Sequence, residues 1–170
     1  GALFMLIVVG FIDLFAGLLL GKEEYFAALM IVPVILLANL FLGIYYNLSI
    51  WFKLTDKTRY GMYFSLAGAM ITLALNLALI PVLGIMASAW ATLAAYLTMV
   101  LLSYFFGRKY YPIPYTLKES GLLLVLATGL SYLSFVFFRG NYLVSIVLTI
   151  LFIGYAYWNQ KNEIREIWKV

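Results

Sequence analysis

Across 170 residues the chain carries only eleven Lys and Arg and seven Asp and Glu, and these collect in short clusters between long apolar runs. The runs are Leu3–Leu20, Phe26–Phe52, Met62–Leu83, Ile85–Phe106, Ser120–Phe138 and Tyr142–Trp158, each about 17 to 27 residues. That is the length an α-helix needs to cross a hydrocarbon core of about 30 Å. A soluble fold has nowhere to hide six such helices. The expected class is therefore an all-α polytopic membrane protein with six transmembrane helices.

Composition supports helices over barrel strands. Hydrophobic residues make up 66% of the chain and charged residues 11%, against about half and a quarter in soluble domains. The runs are continuously apolar, whereas a barrel strand alternates over about ten residues. Cysteine and histidine are absent, which removes disulfides, thiolate chemistry and the commonest general base. No nucleophile–base pair and no glycine-rich phosphate loop occurs, so neither an enzyme nor a cofactor is expected. The net charge of +4 reflects membrane topology, and no nucleic-acid partner is expected. The chain opens Gly1-Ala2-Leu3 inside an apolar run without a basic leader, which reads as a piece of a longer chain and not as a signal peptide.

The basic residues fix an expected orientation. With six crossings, Lys53, Lys57, Arg59, Arg108, Lys109, Lys118, Lys161, Arg165 and Lys169 share one side, and only Lys22 and Arg139 lie opposite. Nine against two places the larger group, and the C-terminus, in the cytoplasm. Tyr45, Tyr46, Trp51, Tyr60, Tyr104, Tyr110, Tyr111, Tyr157 and Trp158 are expected to mark the interfaces.

The expected organisation is four helices over 1–106, a cytoplasmic connector over 107–119, a terminal hairpin over 120–158 and a cytoplasmic tail over 159–170. Ile80-Pro81-Val82-Leu83-Gly84 leaves almost no loop and forces an antiparallel pair. Tyr111-Pro112-Ile113-Pro114-Tyr115 is unable to continue a helix. The tail places Ile164, Ile167 and Trp168 opposite Lys161, Arg165 and Lys169, which suits either an interfacial helix or a solvated end.

Polar residues at membrane depth are costly and mark functional candidates. Asp13 is the sharpest, flanked by Gly10 and Gly17 on its helix face. It is readable as a proton or cation site, as the partner of a cation elsewhere, or as an acid in the outer third, hydrated or capped by a neighbour. Gly61, Ser65, Gly68, Ala69, Thr72 and Asn76 form one small or polar stripe, and Gly84, Ser88, Ala91, Thr92 and Ala95 another. Such stripes are the usual packing seams of membrane helices. Pro33, Asn39, Gly43 and Asn47 share one run, with Pro33 expected to permit bending in mid-membrane. Asp13, Asn39 and Asn76 are the cavity and substrate candidates; no metal site is expected.

The run from Val32-Pro33 through Asn39, Gly43 and Asn47 to Lys53-Leu54-Thr55-Asp56-Lys57-Thr58 resembles the C-terminal half of bacterial polysaccharide flippases. These are the Wzx-like members of the multidrug/oligosaccharidyl-lipid/polysaccharide exporter superfamily. The continuation, Asn76-Leu77-Ala78-Leu79-Ile80-Pro81-Val82-Leu83-Gly84 and then Ala87-Ser88-Ala89-Trp90-Ala91-Thr92, is similar in order, and the likeness covers about Gly1 to Lys118. The resemblance implies the C-terminal lobe of a larger helical transporter in a bacterial inner membrane. It implies alternating-access flipping of a polyprenyl-diphosphate-linked oligosaccharide for surface polysaccharide synthesis. Membrane lipids and polysaccharide polymerase and export proteins are the other implied partners. Family members hold the diphosphate with basic cavity residues, a role that here falls to the preceding lobe because no Lys or Arg sits mid-membrane. A cation-coupled multidrug exporter of the same fold and a non-transporting scaffold of a polysaccharide-assembly complex are the alternatives.

Overall fold

A computed structural model describes residues 1–19, 29–110 and 117–167. Every regular element among them is helical: α1 (Ala2–Gly10), α2 (Ile12–Leu19), α3 (Val32–Leu48), α4 (Ile50–Leu54), α5 (Arg59–Leu83), α6 (Ile85–Tyr110), α7 (Leu117–Phe137) and α8 (Tyr142–Ile167). Four stretches among the described residues are long and apolar enough to cross a membrane: Leu29–Leu54, Arg59–Leu83, Ile85–Tyr110 and Tyr142–Asn159. The other two expected crossings do not reach that length among the described residues. The first is divided at Phe11 into helices of nine and eight residues, and the apolar part of α7 covers only Gly121–Phe137.

The helices form two compact units, one of residues Met30–Tyr115 and one of Gly1–Leu29 with Thr116–Val170. This grouping differs from the four-plus-two division expected from the sequence, because α1 packs on α7 and α8. The expected Pro-containing seam, 111–115, lies outside the described residues. On either side of it the chain is helical up to Tyr110 and again from Leu117, so helix extends into both ends of the expected connector 107–119. At the C-terminus α8 continues unbroken through Ile167. Backbone helix in the tail is thus an extension of the last span.

In the unit 30–115, α6 packs against both α3 and α5. Its buried positions include Ala87, Ala91, Ala95, Met99, Ser103 and Gly107, a strict fourth-residue stripe along the helix. Residues four apart lie nearly one above the other on a helix, and small ones let neighbouring backbones approach closely. Outward faces are the reverse: on α5, Met70, Leu73 and Leu77 are exposed by 64%, 64% and 72%. Large apolar side chains on the outward face suit lipid as the surrounding solvent.

The α5–α6 hairpin closes as the sequence predicts, with one residue between the helices. Helix α5 runs through Pro81, and Gly84 follows at φ 55° and ψ −134°, donating its N–H to Ile80 O at 2.9 Å. Only glycine adopts that backbone conformation without strain. Pro33 departs from expectation. It occupies the first turn of α3, where its missing N–H would be unpaired in any case, so it starts this helix and does not bend it.

Candidate functional site

The polar groups of the unit containing α1, α2, α7 and α8 converge where these helices meet. Gly10 brings the α1 backbone so close that a Cβ there would lie 3.1 Å from Ser145 Cβ and 3.8 Å from Ser134 Oγ. Ser134 on α7 and Ser145 on α8 are buried and share a hydrogen bond of 3.1 Å. Beside this seam Phe11 stacks on Tyr142, with ring centroids 6.0 Å apart and planes 1° from parallel.

Asp13 follows on α2. Its carboxylate accepts from Arg139 in a fork: Nε to Oδ1 at 3.0 Å, Nε to Oδ2 at 3.2 Å and Nη2 to Oδ1 at 2.9 Å. Arg139 sits in the α7–α8 turn, where Gly140 at φ 83° reverses the chain. The guanidinium also lies 5.3 Å from the Phe135 ring centroid. The two side chains remain 25% and 37% exposed, so the pair is partly solvated. Of the sequence readings of Asp13, the geometry fits both the partner of a cation elsewhere and an acid capped by a neighbour. At Gly17, its other expected flank, a Cβ would meet no atom within 4 Å, so only Gly10 marks a close approach.

The other two candidates lie in the unit 30–115. Asn76 on α5 accepts a hydrogen bond from Ser88 Oγ on α6 at 3.0 Å. Asn39 is exposed on α3. Because α3 and α5 both pack along α6, these asparagines belong to opposite partners of the same helix. The two small-residue stripes do meet: Gly68, Ala91 and Ala95 are buried, and a Cβ on Gly68 would lie 3.9 Å from Ala95 O. Ser65 and Ala69, assigned to the same stripe, are exposed.

A feature missed by sequence reading is an aromatic platform at the end of this unit where α4, α5 and the C-terminus of α6 come together. Trp51, 1% exposed, donates from Nε1 to Ser103 O at 3.1 Å and stacks on Tyr110 at 5.7 Å and 15°. Tyr60 donates its hydroxyl to Tyr110 at 2.9 Å, and Lys57 Nζ stands 3.5 Å above the Tyr110 ring. Trp51 and Tyr45, both expected at an interface, are thus packed against other side chains. The available signal was glycine: Gly107, four residues beyond Ser103, leaves the space the indole fills, since a Cβ there would lie 3.0 Å from Trp51 Cδ1.

No family model, curated protein or solved structure matches this chain.

Proposed function

We propose that the chain is the C-terminal lobe of a bacterial inner-membrane flippase that moves polyprenyl-diphosphate-linked oligosaccharide outward by alternating access. The observation carrying this reading is the ordered sequence pattern from Val32 to Thr92, laid on apolar helices with lipid-suited outer faces. The proposal includes six crossings and a cytoplasmic C-terminus. Its shorter first crossing is α1 and α2 taken together, and its fifth is α7. In this reading Asp13 is a structural ion-pair partner, and Asn39 and Asn76 supply hydrogen-bonding groups toward sugar. Engagement of Asp13 by Arg139 weighs against the cation-coupled exporter, which would need that carboxylate available to a coupling ion.

Complementation tests the reading. Full-length protein expressed in a flippase-null strain should restore surface polysaccharide and relieve accumulation of the lipid-linked precursor. Failure to do both at matched membrane abundance overturns the proposal. Within a complementing protein, simultaneous Ala substitution of Asn39 and Asn76 should lower export; unchanged export would remove these two residues from the transport path.

A further inference from the structure

We propose that the end of the unit 30–115 carrying the Trp51–Tyr60–Tyr110 platform is a docking surface for anionic phospholipid headgroups. Five cations collect there: Lys53 and Lys57 after α4, Arg59 opening α5, and Arg108 and Lys109 closing α6. Antiparallel packing of α5 on α6 through the Gly84 turn brings these separate sequence positions to one end. Lys53, Arg59, Arg108 and Lys109 are exposed, and Lys57 is half-buried. The one acid in the same segments is Asp56. Among the described residues the sole salt bridge is Arg139–Asp13, so none of the five cations is neutralised by a described carboxylate.

Three of the cations, Lys57, Arg108 and Lys109, stand beside aromatic rings. Lys57 lies over Tyr110, whose ring is fixed by stacking on buried Trp51 and by the Tyr60 hydroxyl. Arg108 reaches the Tyr104 hydroxyl at 3.5 Å. Contacts with ring faces hold an ammonium in place and leave N–H donors for phosphate oxygens. The source of the phosphate follows from location. These residues terminate three membrane-length apolar stretches, which puts the charge at headgroup depth, where anionic lipid attracts Lys and Arg and aromatic rings settle. This surface is independent of the flippase reading.

Native mass spectrometry of the purified protein, titrated with phosphatidylglycerol or phosphatidylcholine, tests the proposal. The unmodified protein should bind phosphatidylglycerol more tightly, with the preference falling as salt is raised. The combined K53Q/R59Q/R108Q/K109Q variant should lose affinity for phosphatidylglycerol, by up to about fivefold per cation, while retaining phosphatidylcholine. The charge-conserving R59K/R108K variant should bind as the parent does. Millimolar inorganic phosphate should leave the lipid bound. Equal binding of the two lipids by the unmodified protein overturns the proposal even if the fourfold variant does not fold. Unchanged phosphatidylglycerol affinity in a folded fourfold variant, or displacement of the lipid by inorganic phosphate, also overturns it.

Discussion

Two glycines on neighbouring helices show how much a single methyl group depends on what faces it. At Gly107 a Cβ would meet the Trp51 ring at 3.0 to 3.2 Å, and that ring is pinned by its bond to Ser103 and by Tyr110. At Gly68 a Cβ would meet Met99 Sδ at 2.7 Å and Cγ at 3.1 Å; Met99 is itself buried, but its unbranched thioether chain adapts more readily than a pinned indole. Gly107→Ala should therefore destabilise by about 1–3 kcal/mol, the usual cost of overpacking. Gly68→Ala should fall within about 1 kcal/mol of neutral, since alanine also favours helix. Thermal unfolding in detergent distinguishes the two, and an equal response would contradict the difference in rigidity. The Asp13–Arg139 fork makes a second residue-scale prediction. Removing either charge should cost about 1 kcal/mol, at the upper end for a partly exposed pair. The exchange Asp13→Arg with Arg139→Asp should recover part of the loss. A double variant no more stable than the worse single one would mean that mutual attraction contributes nothing.

Helix α6 carries the packing of its unit along one buried stripe whose members are small at every step but Met99. Each of Ala87, Ala91 and Ala95 is buried to 1% exposure or less, so a larger side chain has no room between α6 and its neighbours. Ala91→Leu should destabilise strongly, by several times the effect of Leu97→Ala on the exposed face of the same helix. The measurement is unfolding in detergent, with helical content by circular dichroism as a check on folding. Similar losses from both substitutions would show that the stripe is not the seam. The hairpin adds a backbone constraint. Gly84→Ala should lower stability by about 1–3 kcal/mol through strain alone, because open space surrounds that position and steric contact adds nothing.

For the whole molecule, the proposed orientation makes a topological prediction. A cysteine at Thr55, between α4 and α5, should resist a membrane-impermeant thiol reagent in intact cells, and one at Asn141, between α7 and α8, should react. These 170 residues contain no cysteine, so no other thiol among them competes with the introduced one. Labelling at position 55 from outside would invert the assignment. Apolar run length alone determined that this chain is helical and suited to a membrane, because backbone polar groups in lipid have to be satisfied within each segment. The glycine that closes the α5–α6 hairpin and the small residues that let those helices touch were legible for the same local reason. The sequence marked Asp13 only as a costly acid at membrane depth, open to several readings, and tertiary structure decided that it pairs with Arg139, 126 positions away. It likewise decided that Trp51 is a buried pillar bonded to Ser103, and that α1 joins α7 and α8. Hydropathy is a property of one segment, whereas pairing between helices depends on side-chain shape and polar complementarity across segments distant in the chain.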